Sequence, residues 1–194
     1  MPCCEVLRKP ERRVIKYLFM NKLVLKIILC VFAGIFSANL YAKGTYLEPE
    51  KFLNLVFNNN PPKSDTIWIK KELKENIDQI LGHDLGKARV RYWDDQTKRA
   101  WILEEIGKDK PITVGLVTVN GKIDQVRVLI FRETRGWEVK YPFFTDQFKE
   151  LELTEEKLLN KKIDGISGAT LSVNALTKLA RLALYLDSKV GKKD

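Results

Sequence analysis

From residue 47 onward, two hydrophobic rhythms take turns along the chain. Phe52, Leu53, Val56 and Phe57 follow helical spacing behind Pro49, which predicts a short amphipathic helix over residues 47–57. Asn58-Asn59-Asn60-Pro61-Pro62 ends it, since proline has no N–H to continue a helix. Asp65 stands where it would cap a second helix carrying Ile67, Trp68, Leu73, Ile77, Ile80 and Leu81, and Gly82 stops that helix. The period then changes to two. Residues 87–93 and 99–105 read as strands around a turn at Asp94-Asp95, and residues 112–119 and 123–131 as a second pair. Asn120-Gly121 between the latter two suits the positive φ angles of a two-residue hairpin turn. Residues 146–150 and 154–160 are expected to be short helices, the second with Thr154 at its cap and acids in its first turn. A last helical pattern runs through Leu171, Ala175, Leu176, Leu179, Leu182, Ala183 and Leu186. The expected fold is α+β: an antiparallel sheet of about four strands flanked by helices in a single domain. Residues 43–110 would supply the N-terminal helices and first hairpin, and residues 111–190 the core of the domain.

Composition alters this picture mainly at the N-terminus. With 194 residues, 45% hydrophobic and 30% charged, the chain can bury a core. The net charge of +9 is uneven, because residues 1–42 hold seven Lys/Arg against two acids. Elsewhere basic residues do not interleave with aromatics, so no nucleic-acid partner is expected. Cys3, Cys4 and Cys30 all precede residue 43, leaving the rest of the chain without disulfides, thiolate metal sites or a cysteine nucleophile. His83 is the sole histidine, which excludes a multi-histidine zinc site; it is expected in a surface turn, Gly82-His83-Asp84.

Residues 20–42 read as a secretory signal peptide. Lys22 and Lys26 precede a twelve-residue apolar run, residues 27–38, and Leu40-Tyr41-Ala42 offers cleavage before Lys43. That run is short for a membrane span, which needs ~20 apolar residues. Residues 1–19 are read as an upstream extension ahead of a start at Met20; a retained anchor over residues 1–42 is the alternative. The expected location is periplasmic or otherwise exported, with inner-membrane anchoring as the other option.

The candidate chemistry lies just before the last helix, in Asp164-Gly165-Ile166-Ser167-Gly168-Ala169-Thr170. Two glycines permit a sharp turn and close approach to a ligand. Thr170 is expected at the N-cap, with N–H groups from about Leu171 to Val173 and the positive helix end favouring a phosphate. Spacing alone is equally compatible with an ordinary glycine-rich helix cap. The stretch resembles the flavinylation motif of the FMN-binding domain family, Asp-Gly-x-Ser/Thr-Gly-Ala-Thr, and the resemblance extends roughly over residues 112–186. It implies FMN joined through a phosphoester to Thr170, with Asp164, Gly165, Ser167, Gly168, Ala169 and Leu171 around it. It also implies a separate flavin transferase that uses FAD as donor and magnesium as its metal. Glu133-Thr134-Arg135-Gly136 is similar to the family's Glu-Thr-x-Gly segment, which adds Glu133 and Thr134 to the expected cofactor contacts. Arg135 and Trp137-Glu138 depart from the family's respiratory subunits, which have Pro and a Gly-rich continuation; this favours a stand-alone carrier. Trp137, Tyr141, Phe143 and Phe144 are candidates for the flat wall beside the isoalloxazine. No catalytic acid–base pair and no metal ligand is identified. The function implied is an exported electron-transfer flavoprotein serving membrane or periplasmic redox partners. A membrane-anchored flavin subunit of a respiratory reductase and a non-redox binding module of the same fold are the alternatives.

Overall fold

The alternating segments pair into one antiparallel meander. In the computed structural model, which describes residues 44–190, five strands lie side by side in chain order. They are β1 (Asp65–Trp68), β2 (Arg89–Asp94), β3 (Arg99–Ile106), β4 (Pro111–Val119) and β5 (Lys122–Phe131). Four helices accompany them: α1 (Pro49–Val56), α2 (Lys71–Leu81), α3 (Pro142–Thr145) and α4 (Thr170–Lys189). The signal-peptide reading of residues 20–42, and the extension or anchor reading that goes with it, lie outside the described residues. Among the described residues no helix is long and apolar enough to cross a membrane.

The fold class is α+β as expected, with one strand more. Ile67 and Trp68 fit a helical period, but Thr66-Ile67-Trp68 is a β-branched and aromatic run, suited to a pleated surface. It pairs with the open edge of β2, Asp65 opposite Tyr92 and Trp68 opposite Arg89. The second helix therefore starts at Lys71, and Asp65 does not cap it. Residues 154–160 are not helical either. Leu153 bridges to Leu159, and the Thr154 amide donates to the Leu158 carbonyl at 2.8 Å, forming a tight loop. Arg181 on α4 secures that loop, its Nε donating to the Lys157 carbonyl at 2.5 Å. Of residues 146–150 only Asp146–Phe148 forms a 3-10 turn.

Both sheet faces are covered. On one side Ile77, Ile80 and Leu81 of α2 and Leu176, Leu179 and Ala183 of α4 pack on Trp101, Val114, Leu116 and Val126. On the other, Phe52, Leu53 and Val56 of α1 pack on Ala100, Val117 and Leu129. This explains the unbroken apolar character of β4, buried from Ile112 through Thr118. At its centre, a Cβ on Gly115 would sit 2.6–2.8 Å from the Phe52 ring, so the glycine lets α1 lie close to the sheet. Asn120 and Gly121 both adopt positive φ, 51° and 79°, as the hairpin turn requires. Register shifts between β4 and β5 interrupt strict alternation, so that the consecutive Leu129 and Ile130 both serve the α1 face, between Val128 and Phe131 on the other.

Two polar clusters, each centred on a buried carboxylate, tie α4 to the sheet. At its C-terminal end, Arg99 donates to Asp187 at 3.0 Å and to Asp94 at 2.8 Å. Thr118 also donates to Asp187, at 2.8 Å, while the Trp101 indole donates to Thr118 at 3.1 Å. Nearer the middle of the helix, Lys178 lies 3.4 Å from the buried Glu105 carboxylate. His83 Nε2 approaches the same carboxylate at 2.9 Å, and its Nδ1 lies 2.9 Å from the Asp84 carbonyl. The expected surface turn is present, but its imidazole faces an acceptor at each nitrogen. The Asp84 carbonyl first and the Glu105 carboxylate second raise its pKa above the usual histidine value.

Candidate functional site

The glycine-rich motif forms the approach to α4. The Ala169 amide donates to the Ile166 carbonyl at 3.0 Å, closing a turn over Ser167-Gly168. Gly168 takes φ 79° there, a conformation a side chain would strain. Ile163 and Ile166 pack on the core, and the Asp164 amide donates to Gln147 Oε1 at 2.7 Å. A Cβ on either Gly165 or Gly168 would meet nothing within 4 Å, so the loop fronts open space, and of the two only Gly168 has a positive φ. Asp164, Gly165, Ser167, Gly168, Thr170 and Leu171 are all exposed, and Ala169 alone of the candidates here is buried.

Thr170 sits one residue further into the helix than expected. The Ala169 carbonyl accepts the first helical bond, from the Val173 amide at 3.0 Å, so Ala169 occupies the cap position and Thr170 is the first helical residue. No side-chain bond caps this end. The amides of Thr170, Leu171 and Ser172 consequently have no acceptor within the helix, whereas that of Val173 is already used. The donor set is thus shifted by one residue toward the turn. Leu171, expected on the apolar face, is 49% exposed beside Thr170, and Ser172 and Val173 turn inward instead.

Gly136 brings the second motif segment to the same place. It has φ 83°, and a Cβ there would fall 2.6 Å from Ser172 Oγ and 3.3 Å from the Ala169 Cβ. Its backbone therefore rests on the first turn of α4. Gly136→Ala is expected to destabilise the protein by about 3 kcal/mol, from left-handed backbone strain and overpacking together. Urea unfolding of the purified variant against wild type measures this.

Glu133 is engaged by backbone. Its Oε1 accepts the amides of Lys108, Asp109 and Lys110 at 2.5, 2.7 and 2.9 Å. Partial burial opposes the charge, but these three N–H groups outweigh it and hold the carboxyl below its ordinary pKa. Glu133 thereby fastens the β3–β4 turn beside the site. Thr134 is exposed, and no hydrogen bond from its hydroxyl is formed among the described residues.

The aromatic candidates divide. Phe144 is fully buried, edge-on to Phe148 with centroids 5.6 Å apart, so it belongs to the core and is unavailable as a wall. Trp137, Tyr141 and Phe143 are 42%, 40% and 64% exposed. Trp137 meets Tyr141 edge to face at 5.7 Å, and Tyr141 stacks on Phe143 at 6.2 Å. They form a ledge that starts with the 3-10 turn Trp137–Lys140, directly after Gly136. Two further residues of this ledge carried no sequence signal. Lys140 Nζ lies 3.9 Å from the Tyr46 ring centroid, 5.2 Å from that of Trp137 and 5.1 Å from that of Tyr141. Tyr46 arrives because Thr45 bridges to Ile130 and the Tyr46 amide donates to the Leu129 carbonyl at 2.8 Å.

Two cavities lie near these elements but away from the motif. One of about 430 Å³ lies under the ledge, lined in part by Tyr46, Lys140 and Tyr141. The other, of about 570 Å³, is at the far end of α4 beside Asp187. Neither is lined by a residue of 164–171. The motif is an exposed turn leading into a helix with unspent amides, joined to the aromatic ledge through Gly136.

The donor chemistry suits FMN: unspent amides for a phosphate, a free hydroxyl between them, and exposed rings nearby. No curated protein gives a significant match to the chain. A family model does, and it covers both segments that Gly136 and Ser172 bring together. Residues 107–185 match the model of the FMN-binding domain family, the one the motif resembles.

Proposed function

We propose that FMN is attached covalently to Thr170 and that the protein is an exported electron carrier. The observation that carries this reading is the Thr170 hydroxyl, exposed at the first position of a 20-residue helix whose leading amides are unspent. In the attachment step, Thr170 Oγ would bond to the FMN phosphorus of FAD. The pyrophosphate bond breaks, AMP leaves and the hydroxyl proton is released. The resulting phosphodiester keeps one negative charge, which the amides of Thr170, Leu171 and Ser172 and the helix dipole would stabilise. Ser167, exposed in the turn, is a further donor. No group of the described residues is bonded to the Thr170 hydroxyl, so its activation is assigned to the transferase and its magnesium.

FMN, when bound, supplies the redox chemistry; the chain supplies placement and electrostatics. An attachment point on an open surface leaves the ring accessible to protein partners, which suits a carrier more than an enzyme with an enclosed substrate. Export is supported by the signal-like residues 20–42, and a covalent bond retains the cofactor where free FMN is scarce. The test is the intact mass of the mature protein, made with and without a co-expressed flavin transferase. A gain of one FMN less one water, only with the transferase, is expected. Folded, exported protein with no gain would overturn covalent attachment and favour the non-redox module.

A further inference from the structure

We infer that Lys140 sets the reduction potential of the flavin, by placing an unpaired positive charge on the ledge beside it. This rests on the flavin reading above. Lys140 touches three aromatic rings, with its ammonium 3.9–5.2 Å from their centroids, yet forms no ion pair among the described residues. Its charged neighbour across the cavity, Lys149, is paired to Asp146 at 3.1 Å. Arg127, on the same cavity, and Arg135, beside Gly136, are also without an ion pair among the described residues, but of these cations only Lys140 is held against the aromatic rings of the ledge. The 3-10 turn that carries it begins at Gly136, in contact with Ser172 of the flavin-bearing helix. Four residues at ~2 Å rise place it ~8 Å along that turn, within reach of a ribityl chain starting at Thr170. Tyr46, from outside the family-matched residues 107–185, makes the shortest of the three ring contacts to the ammonium. Lys140 is a positioning charge here, not a catalytic group.

The physical effect has a definite sign. Two electrons from an external reductant and one proton from water leave the isoalloxazine with one added negative charge. A fixed cation nearby favours that state over the oxidised one, and charge near the ring is a recognised lever on flavin potential. The full-length protein, loaded by co-expressed transferase, is titrated with dithionite and mediator dyes. Lys140→Met keeps the stem on Tyr46 and removes the charge; Lys140→Arg keeps the charge. The expected result is about a tenfold loss in the equilibrium constant for reduction in Lys140→Met, a downward shift of about 30 mV for two electrons. Lys140→Arg should restore the wild-type value, and raised salt should shrink the difference, since the ledge faces water. Fully loaded Lys140→Met with an unchanged potential would overturn the inference and leave covalent attachment standing. Wild-type protein that takes up no flavin would instead sink the attachment itself, and the inference with it.

Discussion

Thr170→Ala, made beside the flavin transferase, is expected to show no FMN mass increment at unchanged stability. The two halves of that expectation come from the same geometry. The Thr170 hydroxyl bonds to nothing among the described residues, and the side chain is exposed at the first helical position. Alanine has the higher helix propensity, so the structural change should stay within about 0.5 kcal/mol of zero. If Thr170 had been the cap, its loss would have cost about 1 kcal/mol, and a missing flavin could be blamed on a frayed helix. Its actual position removes that ambiguity. Intact mass reports the cofactor, and urea unfolding of the flavin-free proteins reports the stability. Retention of the full increment in Thr170→Ala would move the acceptor elsewhere, with exposed Ser167 the next residue to replace.

Asp187→Ala should have the opposite profile: a large loss of stability with the acceptor intact. Asp187 is 8% exposed and takes donors from both Arg99 and Thr118. Removing its carboxylate leaves Thr118, itself buried, without its acceptor, and a guanidinium held by Asp94 and the backbone carbonyl of residue 187. Breaking a buried pair from one side commonly costs 3–5 kcal/mol. Because Arg99 keeps Asp94 and that carbonyl, about 3 kcal/mol is expected, seen as a lowered urea midpoint with an unchanged slope. The α4 helix spans ~30 Å at ~1.5 Å per residue, and Asp187 and Thr170 sit at opposite ends of it. Protein that remains folded should therefore still gain the FMN mass. Stability and cofactor attachment are separable along one helix, and failure to separate would show that fraying at one end reaches the other.

The open placement of the motif bears on what the protein does with its cofactor. Catalytic flavoproteins commonly enclose substrate and ring together, since ligand pockets bury most of a small molecule's surface. Here neither the cavity under the ledge nor the one at the far end of α4 is lined by motif residues, while the ledge of Trp137, Tyr141 and Phe143 is exposed. A ring on that ledge would be shielded on one side and approachable on the other. That arrangement suits exchange of electrons with a second protein.

Local chemistry accounts for what was legible in the chain. Asn120-Gly121 made its turn because both residues tolerate positive φ, and Gly168 bent the motif for the same reason. The long apolar period at residues 171–186 became α4, and the complete Asp-Gly-x-Ser-Gly-Ala-Thr run marked its entrance. These features are written in neighbouring residues, so sequence by itself determined the last helix, the β4–β5 hairpin and the FMN-binding domain. Where distant segments compete for the same backbone or space, it did not. Thr66-Ile67-Trp68 joined the sheet because the edge of β2 was there to accept it, against its own helical spacing. Glu133 was drawn to three amides some twenty-five residues earlier, and Phe144 was folded under while Phe143 was left out. Tyr46 met Lys140 only because residues 44–47 pair with β5. Such contacts depend on which chains the sheet brings side by side, and a linear pattern of polar and apolar residues carries no record of that.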